Sequence, residues 1–143
     1  MIARHLLALA VLLGLAAAMA DTTAADEPKA FDCRFSNGVA HTYDNGKFST
    51  ETSAPLAFGI AAIDGRNQSA ELRTERGTGL LRLVQAVNAM HFLEVVTEGF
   101  LHITTIYDKD EAKGLYPAVH SRHFGVLGQP IVTQYQGFCE AKG

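Results

Sequence analysis

The sequence has 143 residues, with 12 Lys or Arg and 15 Asp or Glu, which gives a formal net charge of −3 at pH 7. This length suits one domain built around one hydrophobic core. The mild acidity and the scattered charges argue against binding to nucleic acid, which requires a basic stripe. They argue equally against binding to an anionic membrane surface.

The first 20 residues have the three-part pattern of a secretory signal peptide. Arg4 precedes an uncharged apolar run over residues 6–18, and the run ends in the small-x-small tripeptide Ala18-Met19-Ala20. This run is shorter than the roughly 18 residues of a membrane-spanning helix. We therefore predict cleavage after Ala20 and a soluble mature chain that is periplasmic or secreted, with no membrane span. The loss of Arg4 would leave 11 basic and 15 acidic residues, a net charge of −4.

Residues 21–30 are small, polar and acidic, and this composition predicts a disordered lead-in to a single β domain over residues 31–143. The mature chain has two cysteines, Cys33 and Cys139. In an oxidising compartment such a pair predicts a disulfide, whose Cα atoms must lie within about 7 Å of each other. We expect this bond to join the termini and to bring the first and last strands together.

The chain between the cysteines consists of short apolar or alternating runs, interrupted by turn residues about every ten positions. Asn45-Gly46 is a strong hairpin signal, because both residue types tolerate positive φ. Residues 69–75 alternate between two faces, as in a strand with one solvated side. The pattern predicts an all-β fold, a small antiparallel β-barrel or barrel-like sandwich of about 8–10 short strands. The predicted disulfide between the terminal strands favours the barrel.

The segment 80–98 has two interpretations. Its first half has leucines at helical spacing among good helix formers, whereas its second half is rich in β-branched residues. We favour two strands joined by a turn at Asn88-Ala89-Met90. A helix is the alternative.

Two histidines, a serine and an arginine stand together in an apolar stretch, as His120-Ser121-Arg122-His123. His120 and His123 have the spacing of many metal-ligand pairs, but residues three apart point to opposite faces of a strand. A zinc site would also need further ligands from elsewhere in the chain, for which the candidates are His41, His91 and His102. We therefore predict hydrogen-bonded histidines here and no metal site.

The same four residues are our candidate ligand-binding site. Arg122 can hold a carboxylate or a phosphate through its planar guanidinium. Strand parity places His120 with Arg122 on one face and Ser121 with His123 on the other. For these residues we favour a structural role, in which the inward pair is hydrogen-bonded to Thr104 or Glu94, and ligand binding is the alternative.

The general plan resembles small exported β-barrels, including lysozyme-inhibitor-type domains and lipocalin-like proteins, in size and strand pattern. No functional residue is carried over from this resemblance. No Gly-x-Ser-x-Gly elbow is present, and we expect neither enzymatic activity nor a cofactor. The leading hypothesis is a non-enzymatic module that binds a small ligand or an extracytoplasmic protein.

Two alternatives belong to other functional classes. The first is an inhibitor of an extracytoplasmic hydrolase, a lysozyme or a protease, acting through the charged loop Asp108–Gly114. The acidic residues of that loop, Asp108, Asp110 and Glu111, could meet a basic enzyme cleft. The second alternative is a small metal-dependent enzyme that uses His120 and His123.

Overall fold

The computed structural model describes residues 27–96, 100–125 and 128–143. These residues form ten β-strands: β1 Ala30–Phe35, β2 Gly38–Asp44, β3 Lys47–Ser53, β4 Leu56–Asp64, β5 Ser69–Thr74, β6 Gly77–Gln85, β7 Ala89–Val95, β8 Phe100–Tyr107, β9 Tyr116–Phe124 and β10 Ile131–Lys142. Among the described residues, no helix is long and apolar enough to cross a membrane. The predicted all-β fold is confirmed.

Eight of the strands close into an antiparallel barrel. Their order is β1-β4-β5-β6-β7-β8-β9-β10, and β10 pairs again with β1. Closure removes the free sheet edges that an open sheet would present. Of the two predicted architectures, the structure is therefore the barrel and not the sandwich.

The long last strand explains how ten strands form an eight-stranded barrel. Residues Gly137–Lys142 of β10 pair with β1, whereas residues Ile131–Gln134 pair with β2. The hairpin β2–β3 thus continues past the barrel wall, and its outer strand β3 is largely exposed. Its turn is formed by Asn45 and Gly46, which both have positive φ, as the sequence predicted.

The segment 80–98 forms two strands joined by a turn, and the helical alternative is wrong over its described part. Along β6, Leu81 and Leu83 are buried while Arg82 is exposed, so this half has the period of a strand. The turn covers residues 86–88, where the amide of Ala86 donates a hydrogen bond to the carbonyl of Ala89 (2.8 Å). It therefore begins earlier than the predicted Asn88-Ala89-Met90.

Cys33 and Cys139 form the predicted disulfide, but it does not join the chain termini. The two residues lie directly opposite each other in β1 and β10, with a Cα–Cα distance of 4.0 Å. Both lie inside their strands, so the bond fastens the barrel seam, and the chain continues beyond it at both ends. The predicted signal peptide and residues 21–26 lie outside the described residues, while Ala30 already belongs to β1.

The core of the barrel consists mainly of apolar side chains. The largest fully buried members come from β1, β4, β6, β7 and β8: Phe31, Ile60, Leu83, Phe92 and Ile106. At the seam, β1 approaches β10 so closely that a Cβ on Gly137 would collide with the backbone of Arg34 and Phe35. A glycine is required there because no side chain fits between the two backbones.

Candidate functional site: a polar belt inside the barrel

Two adjacent cross-strand rows on the inner face of the barrel contain mostly polar side chains. Because the register of an antiparallel sheet fixes which residues are opposite one another, the four strands β7 to β10 align these rows directly. The first row is Glu94, His102, Arg122 and Thr133, and the second is Phe92, Thr104, His120 and Tyr135. We refer to Glu94, His102, Thr104, His120, Arg122, Thr133 and Tyr135 as the polar belt.

Glu94 and His102 form the charged pair of the belt. The Glu94 Oε2 to His102 Nδ1 distance is 3.0 Å, and each side chain is 18% exposed. A carboxylate oxygen accepts, so His102 donates from Nδ1 when Glu94 is ionised. Gly79 of β6 leaves room for this pair because it has no side chain. A Cβ at that position would lie only 2.9 Å from Glu94 Oε1.

His120 is almost fully enclosed, with 5% of its surface exposed. Its Nδ1 lies 2.9 Å from Thr104 Oγ1, and its ring contacts Phe58, with 5.0 Å between ring centroids. Burial, together with the nearby positive charges of Arg122 and His102, lowers the pKa of His120 to about 3. The ring is therefore neutral at physiological pH.

Arg122 brings a positive charge to the centre of the belt. Its guanidinium carbon lies 5.5 Å from the centroid of the Tyr135 ring, a cation–π arrangement. Tyr135 occupies the space over Gly38, where a Cβ would come within 2.5 Å of the ring. No carboxylate among the described residues forms an ion pair with Arg122.

Three side-chain nitrogen atoms of the belt are buried and have no hydrogen-bond partner among the described residues. They are His102 Nε2, His120 Nε2 and Arg122 Nε. His102 and His120 have 5.9 Å between their ring centroids, and Arg122 lies directly opposite His102 in the sheet. Buried polar groups in folded proteins are nearly always satisfied. The clustering of three unsatisfied ones makes this position the candidate functional site.

Aromatic rings cover the belt on the side away from the apolar core. Phe100 and Phe124 are opposite each other in β8 and β9, with ring centroids 5.0 Å apart in an edge-to-face arrangement. Phe124 also contacts His102, with 5.8 Å between centroids. The belt therefore combines a few polar groups with aromatic neighbours, a composition that small-molecule sites share.

The structure separates the four predicted site residues into two pairs. His120 and Arg122 face the barrel interior, and His120 is bonded to Thr104, one of the two partners expected from the sequence. Ser121 and His123 lie on the opposite face of β9, in register with outward positions of β8 and β10. His120 and His123 therefore do not face a common point.

The sequence named Glu94 only as a possible hydrogen-bond partner of the inward pair and His102 only as a possible metal ligand, and it did not predict that they form a pair. Each lies in a largely apolar strand, and eight positions separate them along the chain. Alternation within β7 and β8 would have put both on the inner face. Only the pairing register brings Glu94 against His102 and His102 against Arg122.

The other metal-ligand candidates lie apart from the belt. His91 is bonded to Thr105 and His41 to Thr50, each on a neighbouring strand. In the parts of the chain that the structure describes, no three His, Cys, Asp or Glu side chains are placed to hold a metal ion.

In the loop between β8 and β9, Asp110 stabilises its own turn. Its Oδ1 accepts hydrogen bonds from the amides of Ala112 (3.0 Å) and Lys113 (3.2 Å). The side chain of Glu111 is 81% exposed and lies 3.4 Å from Lys109 Nζ. The acidic surface that this loop offers a partner is therefore smaller than its composition suggests, and the inhibitor hypothesis stays a prediction.

Fold and site together define a class of protein, a closed antiparallel β-barrel with a polar belt in an otherwise apolar interior. No protein-family model matches the sequence, and no curated protein is significantly similar to it.

Proposed function

We propose that this protein is an exported, non-enzymatic β-barrel that binds a small molecule inside the barrel, at the polar belt. The observation that carries the proposal is the convergence of three unsatisfied nitrogen atoms, on His102, His120 and Arg122, behind one aromatic wall. An unpaired buried polar group costs about 1–3 kcal/mol, and a ligand that forms hydrogen bonds to these nitrogen atoms would recover that free energy. The disulfide supports export, because such bonds persist mainly in oxidising compartments.

Binding accounts for the belt better than catalysis. The one hydroxyl–imidazole contact in the belt joins Thr104 to His120. A general base works best with a pKa near the operating pH, whereas the pKa of His120 is about 3. This imidazole is therefore a poor base for activating the Thr104 hydroxyl.

Nuclear magnetic resonance of the histidine rings tests the proposal, because the chain contains both inward and outward histidines. Protein labelled with ¹⁵N-histidine is titrated with a set of small acids, bases and neutral molecules, none larger than a dipeptide. Binding at the belt shifts the ring signals of His102 and His120 saturably, while the signals of His41 and His123 stay fixed. Shifts confined to the outward histidines, or no saturable shift with any compound, would overturn the proposal.

Two substitutions on one strand provide matched variants. His120→Gln changes an inward side chain of β9, and His123→Gln changes an outward one. We expect His120→Gln to weaken the binding of any compound found in the titration, and His123→Gln to leave its affinity unchanged. Equal affinities for both variants would place the binding site elsewhere.

A further inference from the structure

We propose that the ligand of the polar belt is a small organic acid, whose carboxylate or phosphate pairs with Arg122 and whose apolar part packs against the aromatic wall. This inference rests on the proposed function and adds the chemical class of the ligand. It also gives Arg122 a role as the anion-binding residue.

The charge balance of the belt favours an anion. The one carboxylate of the belt, on Glu94, is bonded to His102 and not to Arg122. Arg122 is half-buried and its Nε is enclosed, and a charge withdrawn from water is favoured to pair because its desolvation carries a cost. Among the described residues Arg122 has no such partner. An acid group on the ligand supplies the missing negative charge.

The hydrogen-bonding groups of Arg122 also favour an anionic ligand. A guanidinium has five N–H donors and no acceptor, so the buried Nε of Arg122 can be satisfied only by an acceptor. Carboxylate and phosphate oxygens are the acceptors that match its planar fork in pairs. A cationic ligand would meet Arg122 with like charge, and a neutral one would leave that charge unpaired.

The side chains around Arg122 indicate the chemical nature of the rest of the ligand. Its guanidinium stacks over Tyr135, and His102 beside it contacts the ring of Phe124. Phe124 in turn packs edge-to-face with Phe100. Aromatic surfaces such as these take apolar or aromatic groups. An acid with an aromatic body therefore satisfies both parts of the site, whereas inorganic phosphate or acetate satisfies only one.

The experiment compares four probes of similar shape on the wild-type protein. Benzoate and phenyl phosphate carry the acid group, benzyl alcohol is the neutral analogue, and benzylammonium is the cationic one. Affinity is measured by the saturable shifts of the His102 and His120 rings. We expect at least one of the two acids to bind about tenfold or more tightly than the alcohol, as for a charge-assisted pair, and benzylammonium not to bind. Acetate and inorganic phosphate distinguish capture of the acid group alone from recognition of the whole ligand.

Arg122→Gln removes the charge and keeps a donor, and Arg82→Gln makes the same change on the exposed face of β6. Arg122→Gln should weaken acid binding by about tenfold to a hundredfold and abolish the preference for acid over alcohol. Arg82→Gln should change neither. If Arg122→Gln does not fold, Arg122→Lys keeps the charge without the planar fork and should retain the preference with lower affinity.

The outcomes separate this inference from the function on which it rests. Equal binding of benzoate and benzyl alcohol at the belt would overturn the choice of an acid and leave the proposed function standing. Saturable shifts with neutral compounds alone would also overturn the choice of an acid and leave the proposed function standing. Absence of binding by benzoate, phenyl phosphate, acetate and phosphate would overturn the inference. Absence of shifts with every class of compound would overturn both proposals.

Discussion

The imidazole of His120 and the hydroxyl of Thr104 face each other across β8 and β9, with 2.9 Å between Nδ1 and Oγ1. Both residues are almost fully buried, so the barrel holds a neutral histidine against a hydroxyl in a setting that disfavours a second proton. The burial of His120 links the interior of the protein to pH.

The first prediction concerns acid stability. The pKa of His120 is about 3 in the folded chain and about 6.5 when the residue is solvated, so below pH 6.5 the unfolded state binds a proton that the folded state does not. The stability that His120 contributes is present above pH 6.5. It is lost at about 1.4 kcal/mol per pH unit as the pH falls towards 3. Between pH 7 and 5 the loss from this group is about 2 kcal/mol.

Urea unfolding at pH 7 and pH 5 measures that loss. His120→Gln should lose about 2 kcal/mol less than the wild type over this interval, because glutamine does not titrate. His123→Gln serves as the control and should lose as much as the wild type. Equal losses for wild type and His120→Gln would contradict the prediction.

The second prediction concerns the barrel seam. Cys33 and Cys139 are separated by 106 positions along the chain, and the chain-entropy model gives about 4–5 kcal/mol for closing a loop of that length. The double variant Cys33→Ala/Cys139→Ala should lower the free energy of unfolding by roughly that amount, measured by urea unfolding. Wild-type protein unfolded under reducing conditions should show a similar decrease. An unchanged urea midpoint in both would contradict the prediction.

The third prediction concerns the close approach of β1 and β10. Gly137→Ala should destabilise the protein by about 1–3 kcal/mol or more, because its Cβ would collide with the backbone of Arg34. Gly59→Ala is the matched control inside β4, since its Cβ would meet the nearest atoms at 3.5 Å, an ordinary contact distance. The melting temperatures of the two variants provide the measurement. Similar values would show that the seam is more tolerant than its geometry indicates.

The fourth prediction concerns the loop between β8 and β9. Asp110→Ala removes the acceptor for the amides of Ala112 and Lys113 and should lower the free energy of unfolding by about 1 kcal/mol. Glu111→Ala affects an exposed side chain and should change it by no more than about 0.5 kcal/mol. The same variants test the inhibitor hypothesis in lysozyme and protease assays. If the wild type inhibits lysozyme or a protease, and Glu111→Ala inhibits more weakly, the result would support an inhibitor function over ligand binding.

Local patterns were sufficient to predict much of the fold. The Asn45-Gly46 turn depends on nearby residues alone and is present in the structure. The strand predicted in residues 69–75 is present as β5, with Ala70 buried and Arg73 exposed, but the alternation ends before Thr74, which is exposed as well. The turn after β6 was predicted too late. Asn88 suggested a turn by its residue type, but Ala89 is buried and begins β7, so burial in the barrel decided the boundary.

The candidate site was only partly accessible to the same reasoning. The sequence pointed to Arg122 and His120 because they stand together in one strand. It could not pair Glu94 with His102, since that contact depends on the register of β7 against β8. A shift of one residue in that register would move every side chain of the strand to the other face.

The sequence by itself determined the all-β character and the cysteine pair, because period-two alternation, turn residues and cysteine count are properties of short segments or of composition. The tertiary structure alone decided that the sheet closes into a barrel and that Glu94, His102, His120 and Arg122 meet inside it. These residues come from three strands, and their proximity depends on long-range pairing that no short segment encodes. The physical reason is that the pairing register of neighbouring strands decides which side chains lie side by side. Burial of the apolar rows on either side of the polar belt fixes that register, and so places the belt within the barrel.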